Sequence, residues 1–381
     1  MARLGDIGKI VTGNTPKTSE SQNYTSNDIC FVKPSDIADG IVTCLNDSEF
    51  YISEYARAKA RILPPKSVLV TCIGIIGKVA INDVECAFNQ QINAIIPDNS
   101  KCLTEYLAYA IQNKQPEMQD VANAPVVPIL NKTQFSDIEI NLPSLTEQEE
   151  IVGKLNAASR LIALRKAQLA KLDQLVKSRF VELFGDIVLN PFNWEKEQLG
   201  MVCDVRDGTH DSPQYYETGY PLVTSKNVTG GKIDLTDCSL ICEADFNKIN
   251  ERSKVDIGDI IMPMIGTVGK PVIVDVEPNF AIKNVSLIKF KDHSRVLNIF
   301  IRALLQSDYF DEAVLSKVRG GTQKFISLGD IRKLAVIVPP MALQDQFAAF
   351  VEQTDKSKSA IQQSLDKLET LKKSLMQEYF G

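Results

Sequence analysis

One stretch constrains this chain more than any other feature: residues 145–183 contain no proline and a single glycine, Gly153. Apolar residues recur there three and four positions apart, which is the spacing of one face of an α-helix. At 1.5 Å per residue such a helix would be roughly 55 Å long, too long for one ordinary domain to cover. The stretch therefore predicts a long helix that needs a partner. Its expected pairing residues are Ile151, Leu155, Ile162, Leu169, Leu172 and Val176.

The other end of the chain supplies the partner. Residues 347–381 carry the same helical pattern, and the expected pairing residues there are Phe347, Val351, Ile361, Leu365, Leu368 and Leu375. One spacing, about half of the chain, separates matching residues of the two segments. The matching pairs include Pro143 and Pro339, Gln148 and Gln344, and Phe184 and Phe380. The pattern indicates a protein built by duplication.

The composition favours a cytoplasmic chain with more than one core. With 381 residues, of which 44% are hydrophobic, the chain can bury two domains besides its helices. No apolar run reaches the length of a membrane span, and the N-terminus lacks the apolar segment of a secretory signal. Eight cysteines without a CxxC pair and only two histidines argue against a structural zinc site. We therefore expect no metal, no cofactor and no membrane partner.

The net charge of −6 limits how the chain could hold nucleic acid. A protein that gripped DNA unaided by neutralising phosphates would be basic. If DNA is the target, either the positive charge is concentrated on one face or a partner protein supplies much of the grip.

Each half of the chain opens with the same frame. Residues 4–17 read LGDIGKIVTGNTPK and residues 199–213 read LGMVCDVRDGTHDSP: a leucine and a glycine, then apolar positions, then a polar loop that ends in proline. A tight surface turn explains one such loop. Its recurrence gives the loop at least a structural role, and its polar residues are candidate DNA contacts. The segments FVKPSDI and LVTSKNV form a second pair of candidate contact loops.

Two glycine-rich turns follow, IGIIGK at residues 73–78 and IGTVGK at residues 265–270. They lack the Walker spacing and precede a strand instead of a helix, which argues against a phosphate loop. Either they are plain β-turns, or their lysine reaches a DNA phosphate.

Polar strand ends and one glycine-rich loop complete the candidates. The amides and lysine at residues 89–91 and 283–284 can read base edges or hold phosphate, or else they are satisfied polar groups at a strand edge. The loop RGGTQK at residues 319–324 combines flexible glycines with donors for phosphates and bases. The candidate contacts of the first half are Asn14, Thr15, Lys17, Lys33, Ser35, Gly74, Lys78, Asn89, Gln90 and Gln91. Those of the second half are Thr209, His210, Asp211, Ser225, Lys226, Asn227, Thr267, Lys270, Lys283, Asn284, Arg319, Gly320, Gly321, Thr322, Gln323 and Lys324.

Motifs for chemistry are missing from the sequence. The string nearest to the catalytic loop of an adenine methyltransferase, residues 190–193, lacks the second proline. No Walker motif and no PD...ExK-type nuclease string stands out, and two histidines leave little room for a Ser-His-Asp arrangement. A repeated frame with unlike loops is what a molecule reading two different short ligands needs. The sequence thus predicts a binding and organising protein without chemistry of its own.

Taken in order and twice over, these strings resemble the DNA specificity subunit of type I restriction-modification systems. The resemblance rests on the LGDIGKIVTGNTP opening, the GTHDSP loop, the IGIIGK and IGTVGK turns, the NLPSLTEQEEIV and VPPMALQDQFAAFV helix entries, the RGGTQKFIS loop and the two FG endings. It covers nearly the whole chain.

The resemblance implies an α+β architecture in which two long antiparallel coiled-coil helices separate two target recognition domains of mixed α/β type, related by a pseudo-two-fold. The implied segments are a first recognition domain at 1–144, a central spacer helix at 145–185, a second recognition domain at 186–340 and a C-terminal spacer helix at 341–381. Each domain would read one half of a bipartite site in double-stranded DNA. Two methyltransferase subunits would dock on the chain, and added restriction subunits would give a translocating nuclease. The chain itself would catalyse nothing.

Two other functions stay open at this point. One is a DNA methyltransferase with fused readers. The absence of a methyltransferase's catalytic loop from the sequence argues against it. The other is a coiled-coil scaffold that binds protein only. The second half also begins with a preamble around Trp194 that the first half lacks, and its counterpart is either absent or supplied where the C-terminus meets the N-terminus.

Overall fold

The structure, a computed structural model, describes residues 1–122, 127–265, 269–291, 293–314 and 325–381. The chain forms two compact units. Unit 1 comprises residues 1–166 and 363–381, and unit 2 comprises residues 167–362. Each unit therefore contains part of both long helices predicted from the sequence.

Unit 1 combines short strands with helices. Its strands are β1 (Ala2–Arg3), β2 (Gly8–Thr12), β3 (Ile29–Val32), β4 (Val42–Leu45), β5 (Tyr51–Ile52), β6 (Ile62–Leu63), β7 (Val68–Thr71), β8 (Val79–Asn82), β9 (Cys86–Phe88), β10 (Ile92–Pro97) and β11 (Glu139–Ile140). Its helices are α1 (Leu4–Ile7), α2 (Thr104–Asn113), α3 (Gln115–Val121), α4 (Lys132–Asp137) and the first part of α5 (Leu145–Phe184). Short 3₁₀ helices span Ser21–Tyr24, Pro34–Asp36 and Glu54–Lys59. The sheets have the orders β2-β10-β7-β8-β4, β5-β3-β9-β6 and β1-β11.

Unit 2 repeats this plan. Its strands are β12 (Glu195–Gln198), β13 (Asp204–Asp207), β14 (Tyr220–Val223), β15 (Val228–Thr229), β16 (Lys232–Ile233), β17 (Ser239–Ile241), β18 (Ile260–Pro263), β19 (Val272–Ile273), β20 (Ala281–Ile282), β21 (Val285–Lys289) and β22 (Ala335–Val338). Its helices are α6 (Leu199–Val202), α7 (Glu243–Ser253), α8 (Asn298–Leu305), α9 (Asp308–Ala313), α10 (Leu328–Lys333) and the first part of α11 (Met341–Phe380), with a 3₁₀ helix at Ser225–Asn227. The sheet orders are β13-β21-β18-β19, β17-β14-β20, β12-β22 and β15-β16.

The central strands form because their residues suit a sheet covered on both faces. In unit 1 every residue of β7 (VLVT) and β8 (VAIN) is buried, and such mostly apolar runs are typical of strands covered on both faces. The equivalent strand of unit 2, β18, is buried throughout as well. Both units thus use the same sheet skeleton, in agreement with the repeat seen in the sequence.

The two long helices pair antiparallel within each unit. In unit 1 the Nζ atom of Lys154 lies 3.0 Å from the Tyr379 hydroxyl, and Lys166 lies 2.9 Å from Glu369. In unit 2 Lys358 lies 2.7 Å from Asp173. The sequence position rises along one helix as it falls along the other, so the prediction of an antiparallel helix pair is confirmed.

The predicted pairing residues fall into two groups. Buried ones are Ile151, Leu155, Phe347, Val351 and Leu365, and half-buried ones are Ile162, Leu169, Leu172, Val176, Ile361, Leu368 and Leu375. The buried group sits mainly near the start of each helix, where the globular core of the same unit covers the helix too. A partner helix alone covers only one side of a residue, which explains the half-burial elsewhere.

The end of each long helix docks on an equivalent helix. In unit 1 the Phe380 ring of α11 lies 5.2 Å from the Tyr106 ring of α2, and in unit 2 the Phe184 ring of α5 lies 4.8 Å from the Phe300 ring of α8. The Asn113 side chain also donates a hydrogen bond of 2.9 Å to the Phe380 carbonyl. The C-terminal end of one long helix therefore packs against the core of each unit.

The preamble around Trp194 has a shortened counterpart in unit 1. In unit 2 the four residues of β12 pair with β22, and Trp194 Nε1 donates to the Phe184 carbonyl at 3.0 Å. In unit 1 only Ala2 and Arg3 pair, with Ile140 and Glu139. The lead strand is therefore present in both units and is shorter in the first. Across the described residues, none of the helices has the length and apolar character needed to span a membrane.

Candidate nucleic-acid interface

In unit 1 the first predicted loop lies against the end of β9. The Gly13 and Asn14 amides donate to the carbonyls of Ile92 and Phe88, at 3.1 and 3.0 Å. A Cβ atom on Gly13 would lie 2.0 Å from the carbonyl oxygen of Asn89, far inside contact distance. Only glycine allows this close approach, which brings the loop after β2 next to residues 89–91.

Unit 2 uses the same device. The Gly208 and Thr209 amides donate to the carbonyls of Val285 and Ile282, at 2.9 and 3.0 Å. A Cβ atom on Gly208 would lie 2.4 Å from the Ile282 carbonyl oxygen. The GTHDSP loop therefore lies against the strand end that carries Lys283 and Asn284, as the first loop lies against Asn89–Gln91.

Equivalent side chains meet across the two segments, but they differ in kind. In unit 1 the Thr15 hydroxyl donates to Gln90 Oε1 at 2.7 Å. In unit 2 the His210 Nδ1 atom lies 2.9 Å from Asn284 Oδ1. Thr15 and Gln90 are exposed, as is His210. One scaffold thus presents two chemically different polar pairs to solvent.

The pair in unit 2 is held by charged neighbours. His210 Nε2 lies 3.0 Å from Asp207 Oδ2, and the largely buried Asp207 carboxylate also bonds Arg252. Lys283 Nζ donates to the Ser212 hydroxyl at 2.7 Å. These contacts fix the loop and orient the His210 ring.

A second ion pair anchors the segment that carries Arg252. Arg206 donates to the Arg252 carbonyl at 2.9 Å and lies 2.6 Å from Asp204. The hydrogen bond from Arg206 lowers the pKa of the Asp204 carboxyl below its usual value, so this carboxylate is ionised at neutral pH.

Two predicted contacts are buried, and this corrects the expectation that their amides face DNA. Asn89 is 6% exposed; its side-chain nitrogen donates to Gln91 Oε1 and its oxygen accepts from the Gln91 backbone amide. Asn227 is 3% exposed; its oxygen accepts from Thr224 and its nitrogen donates to the Asp237 carbonyl. Buried amides find protein partners because an unpaired polar group costs free energy. Both residues hold their loops in place.

The side chain of Asn14 is likewise hydrogen-bonded within the protein. Its side-chain nitrogen donates to the Lys59 carbonyl at 2.7 Å, and its oxygen accepts from the Arg61 amide at 2.8 Å. The amide therefore ties the segment before β6 to the first loop. The exposed candidates at this edge are Thr15, Lys17 and Gln90.

The remaining candidates of unit 1 extend the same edge. The Cys72 amide donates to the Gln91 carbonyl at 2.8 Å, and the Gly74 amide donates to the Pro128 carbonyl at 3.1 Å. The glycine-rich turn with the half-buried Lys78 thus follows directly from the strand end. In the second loop Ser35 is exposed, and Lys33 Nζ lies 3.1 Å from the centre of the Phe50 ring.

In unit 2 the candidates Asp211, Lys226 and Lys270 are exposed, and Ser225 is half-buried. Lys226 lies 3.7 Å from Asp237. Thr267 and the six residues from Arg319 to Lys324 lie outside the described residues. The segments that flank them are paired, since Ile265 and Phe325 form a β-bridge.

Sequence reasoning missed two arginines, Arg61 after the Glu54–Lys59 turn and Arg252 in the last turn of helix α7. Arg61 in unit 1 and Arg252 in unit 2 both contact the last residue of the strand that leads into the first loop, at Thr12 of β2 and Asp207 of β13. No sequence pattern distinguishes these arginines, because both contacts join segments that are distant in the chain. Within the described ranges no group of three or more histidine, cysteine or acidic side chains could hold a metal ion.

The type I restriction modification DNA specificity domain matches residues 1–174 and 191–371. The chain belongs to this family. The match extends over both halves of the sequence repeat, so each unit contributes a specificity domain.

Curated relatives and a solved structure agree. The specificity subunit of the MjaIX type I restriction enzyme of Methanocaldococcus jannaschii is 27% identical over 382 residues, covering 92% of this chain and 85% of that protein. The specificity subunit of the HindI enzyme of Haemophilus influenzae is 33% identical over 147 residues, covering 38% of this chain and 32% of that protein. The crystal structure of the S subunit of a type I restriction-modification system from M. genitalium has the same fold, with a TM-score of 0.61 at 14% identity over 100% of this chain and 95% of that one. The chain is a DNA specificity subunit with two target recognition domains.

The string that resembles a methyltransferase loop has a structural role in this specificity subunit. The Asn190 side chain donates to the Trp194 carbonyl and accepts from the Trp194 amide, both at 2.9 Å. It closes the turn that leads from α5 into β12.

Proposed function

We propose that each unit of this specificity subunit reads one half of a bipartite site in double-stranded DNA through the edge formed by the loop after its first sheet strand and the facing strand end. Thr15 and Gln90 are the readers of the first half-site, and His210 and Asn284 those of the second. Lys17, Lys78, Lys226, Lys270 and Lys283 supply phosphate contacts.

The equivalence of the two polar pairs carries this proposal. The Thr15–Gln90 and His210–Asn284 contacts occupy corresponding places on a shared backbone frame, yet the side chains differ. If these pairs served packing alone, the same two side chains would be expected in both units. Amides, hydroxyls and imidazoles at an exposed edge are groups that hydrogen-bond to base edges in the major groove. Two different polar pairs on the same backbone frame are therefore suited to read two different half-sites.

The paired helices α5 and α11 serve as the spacer in this proposal. They would hold the readers so that the half-sites fall on one face of the duplex, about one helical turn or roughly 34 Å apart. The four segments 1–144, 145–185, 186–340 and 341–381 are the working division of the chain into readers and spacers.

Partners supply what the chain lacks. With a net charge of −6, the subunit needs help to hold a polyanion. We assign that grip to two methyltransferase subunits docked on the chain, with restriction subunits added to form the nuclease, and we assign no catalytic step to the chain itself. The assembly works where chromosomal DNA lies, in the cytoplasm.

A domain exchange tests independent reading. Residues 1–145 are replaced by the corresponding domain of another family member, the chimera is expressed with its methyltransferase, and methylated adenines are mapped across the host genome. The expected result is a motif in which one half changes and the other is kept. A change in both halves would contradict independent reading. Binding of the methyl donor by the isolated chain would instead identify a fused methyltransferase, and failure of the complex to bind any DNA specifically would identify a protein scaffold.

A further inference from the structure

We infer that Arg61, which no sequence pattern singled out, is a specificity-determining residue of unit 1 that reads a guanine beside the bases contacted by Thr15 and Gln90. The inference rests on the proposed function, since it adds a third segment to the reading edge of unit 1.

Arg61 is attached to the reading edge by its own backbone and by its side chain. Its amide donates to Asn14 Oδ1 at 2.8 Å, and the Asn14 nitrogen returns a bond of 2.7 Å to the Lys59 carbonyl. The Arg61 Nη1 atom donates to the Thr12 carbonyl at the start of the same loop. Arg61 therefore moves with the loop that carries Thr15.

The register of the sheet brings Arg61 close to the strand end as well. Strand β6 runs antiparallel to β9, with Ile62 opposite Ala87. The residue before Ile62 therefore stands level with Phe88, one position before Asn89. Thr15, Gln90 and Arg61 come from three segments that are far apart in sequence and meet at this point.

The charge of Arg61 is the one left uncompensated in its segment. Arg57 is bound by Glu54 and Glu85, the latter at 2.6 Å, and Lys59 is bound by Glu20 at 2.6 Å and lies over the Tyr55 ring. Arg61 is exposed, and in the described part of the chain no carboxylate oxygen lies within 4.0 Å of its guanidinium. A free cation next to a polar reading pair suits an anionic or acceptor-rich ligand.

The anchoring favours a base over a phosphate. A guanidinium held at Nη1 has a restricted orientation, and its remaining donors keep their fixed fork geometry. That fork matches the O6 and N7 acceptors of guanine, the commonest specific contact of arginine in the major groove. Phosphate contacts need only a nearby charge, which Lys17 on the same loop already provides.

The test uses the full chain assembled with its methyltransferase subunits. Fluorescein-labelled duplexes carry the motif mapped from the methylated genome, each guanine of the first half-site replaced in turn, and a duplex of unrelated sequence. The variants are Arg61→Ala, Arg61→Lys, Gln90→Ala and the neighbouring control Arg57→Ala, whose charge is already neutralised. Circular dichroism verifies that each variant is folded.

We expect Arg61→Ala to weaken binding of the motif by about 10- to 100-fold and to abolish discrimination at one guanine, with little change for unrelated DNA. Arg61→Lys should fail to restore it, and Arg57→Ala should bind as the wild type. Rescue by lysine together with an equal loss on all sequences would identify a phosphate contact and overturn the inference. Loss with Gln90→Ala but not with Arg61→Ala would overturn the inference alone. Loss with neither variant would overturn the proposed reading edge itself.

Discussion

Gln148 and Gln344 make the same three hydrogen bonds in the two units. Gln148 Nε2 donates to the carbonyls of Lys101 and Pro143, and its Oε1 accepts from the Leu103 amide. Gln344 Nε2 donates to the carbonyls of Arg295 and Pro339, and its Oε1 accepts from the Leu297 amide. Both side chains are fully buried. Each glutamine thus ties the start of a long helix to the residue that precedes the core helix of its unit.

Replacing Gln344 with leucine should destabilise unit 2 by about 3 kcal/mol or more. The substitution leaves a buried amide and two carbonyls without partners, and each such group costs roughly 1–3 kcal/mol. Urea unfolding followed by circular dichroism measures the change. Gln346→Leu, at an exposed position of the same helix, is the matched control and should change stability little. Equal stability of the two variants would show that the hydrogen bonds are not needed.

Leu172→Asp should weaken the helix pair and reduce methylation of the full bipartite motif. Leu172 is half-buried in α5, and burial of a leucine is worth on the order of 2 kcal/mol, which an aspartate forfeits. Leu175→Asp, three residues away and at 49% exposure, is the control. Methylation of the mapped motif in cells is the readout. Full methylation by the Leu172 variant would rule out the spacer role of the pair.

His210→Ala should affect the second half-site only. The ring is oriented by Asp207 and Asn284. Its removal takes away one reader and leaves the Asp207 carboxylate paired with Arg252. We expect affinity for the motif to fall about tenfold, with relaxed specificity at one position of the second half-site. Titration of the assembled complex with substituted duplexes measures this. His293→Asn, on an exposed loop of unit 2, serves as the comparison, and an altered preference in the first half-site would refute the assignment.

Lys372→Met should stabilise unit 1. Lys372 occupies the position on α11 that corresponds to Val176 on α5, and burial together with nearby Lys166 lowers the pKa of its ammonium group below the usual 10.5. A lowered lysine pKa means that the fold favours the neutral form. The resulting penalty is complete at pH values below the lowered pKa and disappears as the pH rises from there towards 10.5.

The expected gain for Lys372→Met at pH 7 is about 2 °C in the melting temperature, as a gain on the order of 1 kcal/mol would give. The rise of wild-type stability on the alkaline side should be reduced in the variant. Thermal melts from pH 7 to pH 10 measure both effects, with Lys373→Met at the exposed neighbouring position as the reference. A melting temperature lowered by the substitution would mean that the charged form is favoured, contrary to the direction of the shift.

Much of the fold was readable because it depends on local periodicity. A helix predicted over residues 145–183 spans Leu145–Phe184, and the pattern starting at Phe347 belongs to a helix over Met341–Phe380. The lead strand of unit 1 was missed because only two residues, Ala2 and Arg3, remain in it, too few to show an alternating pattern.

The candidate site was only partly readable. The loops at residues 13–17 and 89–91 were both identified, but their contact depends on a pairing over more than seventy positions. Neighbouring side-chain amides also differ in exposure, since Asn89 is buried and Gln90 is exposed. Residue type cannot distinguish them, because both carry an amide and their burial depends on the conformation of the turn between β9 and β10.

The sequence by itself determined the duplication, the two long helices and membership of the type I restriction-modification DNA specificity family, because these features are written in periodicity and in strings that recur in order. Only the tertiary structure decided which polar side chains are free to meet a ligand. Thr15, Gln90 and Arg61 lie at one exposed edge. The side chains of Asn14, Asn89 and Asn227 form hydrogen bonds with other protein groups instead. The reason is that a hydrogen-bonding group is satisfied by whatever the fold brings near it, and those partners are distant in the chain.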